Sequence, residues 1–474
     1  VSLVLAHLLP LLAGTCIHAA LVERPRGADG WLRALGNGYL LGLALVVALL
    51  QLLRPTPQSA FATVAVLLAT VVLATGVLAR RRPLPAPAVV AAPAAEPPWT
   101  RWLLLALLAW LALRGCSLAT EVALRPLFPW DAWATWSVKA KAWYLGNGWH
   151  PFVGFDAWLA DPQARYVAAW FYPEAIPTLE VWFASAAGGW RVAAVLSAWP
   201  GLWLAGLVLL VGQVRAASAP WWLALVAGFC WASLPLVQTH VALAGYADLP
   251  MTVMFGAAAL SLARAALGHG RRHLLLAVLF ALLLPAIKQE GALWLLVLAV
   301  GALHLLLADR GRRRLLPMAG AIVLAWTALF GLRLPLPAVG WVEAGWGYLR
   351  TADGASLALA WRPVGGQLAE TLLLAPNWHL LWWLSPIVLL ATAPVWRALA
   401  GLGWVMTLGL AAIVFIFLFT DAALWADNLT AVNRVLMQLT LAWVGWLALL
   451  SALAIARRER LRAALAATPA EMPG

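Results

Sequence analysis

Runs of about twenty apolar residues recur along the chain, separated by short segments that carry most of its charge. Nothing constrains the fold more. A helix of ~20 such residues, rising ~1.5 Å per residue, crosses the ~30 Å hydrocarbon layer of a bilayer. Thirteen runs read as helices that cross or nearly cross: 2–21, 35–53, 60–79, 102–120, 192–213, 220–239, 249–267, 273–287, 291–308, 315–333, 378–395, 401–420 and 435–455. The expectation is an all-α polytopic membrane protein with about 13 transmembrane helices. With 64% hydrophobic and 11% charged residues, a water-soluble core of this size is excluded. The first run lacks a basic lead and an A-x-A cleavage site before Glu23, so it reads as a transmembrane helix rather than a signal peptide.

Charge sets the expected orientation. Basic residues crowd alternate connections: Glu23 to Arg33, Arg80 to Arg82, Arg215, Arg271 and Arg272, Arg310 to Arg314, Arg397, and Arg457 to Arg462. That face carries the excess behind the net charge of +13, while the other is close to neutral. By the positive-inside rule the basic face is cytoplasmic, with the C-terminus inside and the N-terminus outside. The basic residues form no contiguous arm, so nucleic acid is not an expected partner. Cys16, Cys116 and Cys230 lie in or beside apolar runs and read as small core residues. An Ala/Pro linker at 83–98 divides a leading unit, 1–98, from a module at 99–474. The module has two large outer loops, 121–191 and 334–377, with amphipathic helices expected in the first.

The unusual polar residues fall on the outer side, in four segments. In Pro129-Trp130-Asp131-Ala132-Trp133-Ala134-Thr135-Trp136, continued to Tyr144, helical phase puts Trp133, Trp136, Ala140 and Trp143 on one face. Asp131 points the other way, with Lys139 and Lys141 to either side. This reads as an interfacial helix with indoles in the headgroup layer. It is either a strut or the carrier of a reactive carboxylate, with two lysines able to take a phosphate as point charges. The second segment, Phe171-Tyr172-Pro173-Glu174-Ala175-Ile176-Pro177, brackets an acid with prolines. The third joins Gly245-Tyr246-Ala247-Asp248-Leu249-Pro250 to Ile287-Lys288-Gln289-Glu290-Gly291. Asp248 suits a helix start, and a lysine at the membrane boundary calls for a partner. The fourth runs from Asp421 to Arg434, where the last run re-enters the membrane and a planar donor fork could hold phosphate. His240 and His379 also lie outside. With Asp131 and Glu174 they are compatible with a divalent ion, though no spacing demands one, so no metal ligands are assigned. No P-loop, dinucleotide fingerprint or nucleophile elbow is present.

At these residues the chain resembles the integral-membrane glycosyltransferases of the C superfamily. It looks closest to the bacterial branch that groups protein O-mannosyltransferases with lipid A aminoarabinose transferases. The resemblance spans roughly Arg101 to the last run. It rests on Asp131 in the first long outer loop, the Tyr172-Pro173-Glu174 segment, Tyr246 to Pro250, Lys288 with Gly291, and Arg434. It departs from that pattern where Ala132 follows Asp131, Ala175 follows Glu174, and Leu439-Thr440 replaces a proline. What the resemblance implies is inverting transfer of a sugar from a polyprenyl-phosphate donor, at the outer face of a bacterial inner membrane. Asp131 would be the general base and Glu174 a second acid. Lys288 and Arg434 would hold the phosphate. Outside the family's pattern, Lys139, Lys141, Glu290 and His379 are further candidates for binding the donor. Asp248 and Tyr246 would be supporting residues. No cofactor is required, and the expected partners are the donor lipid, an acceptor lipid, glycan or protein, and membrane lipids. A transporter or flippase of lipid-linked saccharides is the alternative. It would place charges near the midplane on symmetric broken helices, whereas these crowd one boundary. A third reading is a non-catalytic subunit of an envelope complex.

Overall fold

The computed structural model describes residues 2–80, 97–307, 331–336, 340–345, 348–351 and 356–467, together with Gly320 and Thr327. Most of the expected run at 315–333 and most of the 83–98 linker lie outside them. The described chain is a multi-pass helical membrane protein. Among its residues eight helices are long and apolar enough to cross a bilayer: Leu3–Leu21, Gly27–Leu53, Pro57–Arg80, Thr100–Leu124, Val192–Ala216, Asp248–Ala266, Leu381–Phe419 and Val432–Ala463. A ninth crossing is formed if Trp221–Ala232 and Pro235–Ala242, bent by 61° at their junction, count as one.

Thirteen crossings were expected; one of those runs, 315–333, lies mostly outside the described residues, and others take a different form from a single long helix. The runs at 273–287 and 291–308 become helices of 17 and 16 residues, Arg271–Ile287 and Gly291–Leu306. Seventeen residues rise ~26 Å, at the lower limit for a crossing, and Arg271–Ile287 runs from His273 beside Glu23 to Lys288 beside Asp248 at the opposite end of the bundle. The runs at 378–395 and 401–420 merge into one helical stretch through a 3₁₀ segment at Ala393–Leu399. The second long loop contains β-structure. Leu332–Leu336, Gly340–Gly345, Tyr348–Thr351 and Ser356–Ala358 form an antiparallel meander, a small β element within a fold otherwise built of helices.

The leading helices pack directly on the body of the module. Gly14, Gly38 and Gly42 let the first two helices meet at backbone contact. The second helix lies along Ala198–Ala216, where Gly36 faces Leu209 and Gly212 faces Arg33. Trp182 of the helix Ala175–Ala187 donates its indole N–H to the carbonyl of Ala6 at 3.0 Å. At the basic end of the bundle Glu23 ties these helices to later ones. Its carboxylate lies 2.7 Å from Arg33, 3.5 Å from Arg264 and 3.5 Å from His273. Burial works against its charge, but His273, Arg33 and Arg264 hold it well below the usual carboxylate range.

The Asp131 segment differs from a uniform α-helix. Ala132–Trp136 is a π-helical turn that leads into the α-helix Ser137–Leu145. The extra residue breaks the helical phase. Trp136, Ala140 and Trp143 are buried in the protein, while Trp133 is 44% exposed and meets Trp130 edge to face. The indoles of Trp136 and Trp143 therefore serve the protein core rather than a headgroup layer, because this helix packs against Ala175–Ala187.

Candidate functional site

At the end of the bundle opposite Glu23, four chain segments converge on a chain of ion pairs. Arg434, in the first turn of the last helix, donates Nη1 to Asp131 Oδ2 at 2.5 Å. The same nitrogen is 3.9 Å from Asp248 Oδ2. Asp248, 1% exposed, accepts on Oδ1 from Lys288 Nζ at 3.1 Å and from Gln438 Nε2 at 2.8 Å. Lys288 also reaches Glu290 at 3.0 Å. Three carboxylates and two cations thus alternate along one line, with Gln438 closing it from below.

Local sequence builds this arrangement. Gly245 has φ +109°, and a Cβ there would meet the Ala132 side chain at 2.5 Å. A glycine lets the 245–248 turn dock on the π-turn, and so brings Asp248 beside Asp131. The indole N–H of Trp199 then fixes the turn by donating to the Tyr246 carbonyl at 2.9 Å. Gly291 plays a similar part in the hairpin between the two short helices. A Cβ at Gly291 would stand 2.1 Å from the Leu284 carbonyl oxygen. Without that close return, Lys288 would not sit at the tip pointing to Asp248. The last helix is fixed to the Asp248 helix by Thr252, which donates to the Asp248 and Met437 carbonyls. One turn after Arg434, Gln438 accepts from Trp294 Nε1 at 2.5 Å while donating to Asp248.

Two tyrosines and a histidine border the cluster. The guanidinium of Arg434 lies 5.3 Å from the Tyr246 ring centroid. The Tyr246 hydroxyl is held above the ordinary tyrosine range by burial and by Asp131. Tyr172 is raised likewise, by burial and by Glu290. The His240 ring lies tilted beside Tyr246 with centroids 5.4 Å apart, and its buried Nε2 makes no hydrogen bond. Burial works against the charge of Lys288, yet Asp248 and Glu290 outweigh it and raise its pKa above the ordinary lysine range.

The expected residues divide into two groups. Asp131, Asp248, Lys288, Glu290 and Arg434 are brought together, with Tyr246 alongside. Lys139 sits instead under the 170–172 turn. It is 1% exposed, with Nζ donating to the carbonyls of Trp170 at 3.0 Å and Tyr172 at 3.1 Å. Burial lowers its pKa to about 8, against the pull of Glu174. Lys141 is exposed on the same helix. Glu174 accepts from Trp149 Nε1 at 3.2 Å, in a chamber beside the ion-pair line. His379 contacts the Ser233 carbonyl through Nε2 at 2.9 Å, away from the cluster's hydrogen bonds. Among the described residues, no three His, Cys, Asp or Glu side chains are placed to hold a metal ion. Sequence reading passed over Gln438. Its signal was an amide one turn after Arg434 in an otherwise apolar helix.

No family model, no curated protein and no solved structure matches the chain.

Proposed function

We propose that the protein is an inverting glycosyltransferase of the C-superfamily type, taking a sugar from a polyprenyl-phosphate donor at the outer face of a bacterial inner membrane. The observation that carries this reading is the line Asp131–Arg434–Asp248–Lys288–Glu290, a carboxylate beside two fixed cations at one end of a membrane bundle. Inverting transfer needs one base facing the acceptor hydroxyl and positive charge where the leaving phosphate develops.

In the proposed reaction the acceptor O–H gives its proton to Asp131. The acceptor oxygen forms a bond to the anomeric carbon as the bond from that carbon to the phosphate oxygen breaks. The electron pair leaves on polyprenyl phosphate, held by Lys288 and Arg434. Before donor binds, Arg434 occupies Asp131. Guanidinium has five N–H donors, so it can turn part of its fork to phosphate. Donor phosphate thereby loosens the Arg434–Asp131 pair and frees the carboxylate to act as base. Asp248, held by Lys288 and Gln438, positions both cations rather than touching substrate.

The bent pair Trp221–Ala232 and Pro235–Ala242 favours one other reading, a transporter of lipid-linked saccharides, because such proteins bind substrate at broken helices. The test is reconstitution in liposomes with polyprenyl-phosphate sugars from a bacterial membrane extract. Formation of free polyprenyl phosphate with a product one sugar heavier supports the transferase. Movement of the intact donor across the bilayer without any product replaces it with the transporter.

A further inference from the structure

At the end of the bundle remote from Lys288, two elements hold three arginines around an open cavity of about 450 Å³. That volume falls in the range of clefts that take small ligands, ~300–1,000 Å³. One wall is the last helix, where Leu453, Arg457, Arg460 and Leu461 recur at i, i+4, i+7 and i+8 and so share a face. The other wall is the 3₁₀ segment Ala393–Leu399, which brings Val395 and Arg397 to the same cavity. Arg457 ties the walls together by donating Nη1 to the Pro394 carbonyl at 2.8 Å. Gly401, just past this segment, fixes its place in the bundle. A Cβ there would stand 3.6 Å from both His304 and Leu305, in the last turn of Gly291–Leu306.

Arg397 is the one charged residue in the apolar stretch Leu381–Phe419. It is exposed, and so is its neighbour Trp396. A charge in such a stretch is costly unless something pairs with it. Among the described residues no carboxylate pairs with Arg397, Arg457 or Arg460. Glu459, the acid within 457–462, falls on the other face of the helix, away from the cavity. Arg460 donates Nε to the Ala456 carbonyl at 3.2 Å. A guanidinium has five N–H donors, so one such bond leaves Arg457 and Arg460 most of theirs. Guanidiniums that converge without an acid match a phosphate group. Val395, Leu453 and Leu461 give the cavity an apolar side. The helix Leu381–Thr392, which leads into the 3₁₀ segment, exposes Ile387 and Leu390. A phosphate that carries acyl chains meets both surfaces at once.

We infer that this cavity is a headgroup site for an anionic phospholipid, its phosphodiester on Arg397, Arg457 and Arg460 and its acyl chains along Leu381–Thr392. Basic pockets between membrane helices take anionic headgroups by the same chemistry. The lipid would brace the 3₁₀ segment against the last helix, and supply the counter-charge that the protein does not. The site does not depend on the reaction proposed for the opposite end of the bundle.

The test is native mass spectrometry of the purified full chain, titrated with phosphatidylglycerol and in parallel with phosphatidylcholine. The wild type is expected to prefer phosphatidylglycerol. An arginine beside anionic lipid is worth about fivefold in binding, so Arg457→Gln combined with Arg460→Gln should weaken phosphatidylglycerol binding about 25-fold. Arg458→Gln combined with Arg462→Gln removes the same charge from outside the cavity and should leave binding unchanged. If the first pair does not fold, Arg397→Gln, at an exposed position, should weaken binding about fivefold. Unaltered binding in the cavity variants overturns the site. Equal weakening by the two pairs also overturns it, since diffuse attraction to a basic surface would then account for the lipid. Equal binding of phosphatidylcholine does the same. Displacement of the lipid by glycerol 3-phosphate would assign the arginines to a soluble phosphate and overturn the lipid as occupant.

Discussion

Asp248→Asn should be the most damaging single change in the cluster that leaves its size unaltered. Asp248 is 1% exposed and faces two cations, Lys288 at 3.1 Å and Arg434 at 3.9 Å. An asparagine keeps the shape but removes the charge; with its oxygen kept toward Lys288 and Gln438, which share Oδ1, its N–H₂ group faces Arg434, also a donor. Removing one partner of a buried ion pair costs about 3–5 kcal/mol. Each cation keeps a second carboxylate, Glu290 at 3.0 Å or Asp131 at 2.5 Å, which points to the lower end, about 3 kcal/mol. Reversible unfolding in mixed micelles, followed by circular dichroism, measures the loss. The double variant with Lys288→Met separates the pair from its surroundings. It should be less destabilised than the sum of the two singles, by about 2 kcal/mol. A single-variant loss within ~0.5 kcal/mol of wild type, the range of ordinary surface changes, would refute the reasoning, and so would strict additivity.

Other parts of the fold make separate predictions. Gly245→Ala introduces a side chain at positive φ and against Ala132, and should cost roughly 1–3 kcal/mol and any transfer activity, read by thermal melting and product formation. Glu23→Gln removes the carboxylate shared by Arg33, Arg264 and His273. It should lower stability by about 3 kcal/mol and expose the leading helices to limited proteolysis first. Glu180 is buried, accepts from Ser137 at 2.7 Å, and is pushed up to about 8 by burial. Because its folded pKa lies above the unfolded value, the folded state holds the proton more tightly. Its contribution to stability is lost as pH rises from the unfolded value through about 8. Glu180→Gln should flatten that slope, worth on the order of 5 kcal/mol in full. Identical stability–pH curves for the two proteins would contradict the assignment.

The helical membrane class was legible from apolar run length, because the bilayer imposes it. The segments that converge were legible too, since polar residues at a membrane boundary are costly unless paired. The pairing itself was not. Nothing in local pattern says that Arg434 reaches Asp131 across 303 positions of sequence, or that Lys139 turns inward to two carbonyls while Lys141 turns out. The helical phase failed at Ala132–Trp136 because a π-turn adds a residue that periodicity cannot see. Hydropathy marked the apolar runs but not their form: two of them become helices of only 17 and 16 residues joined in a hairpin, and 381–419 passes through a 3₁₀ segment. The division at residue 98 followed the linker's composition, which is silent on the small-residue seams that pack the leading helices onto Ala198–Ala216.

The central claim is that Asp131 removes the acceptor proton while Lys288 and Arg434 hold the departing phosphate. Its most direct measurement is sugar transfer by reconstituted wild type and Asp131→Asn on the same lipid extract, with donor binding followed in parallel. The account predicts a product one sugar heavier from the wild type, none from the variant, and donor binding retained in both. Undiminished product from Asp131→Asn would contradict it.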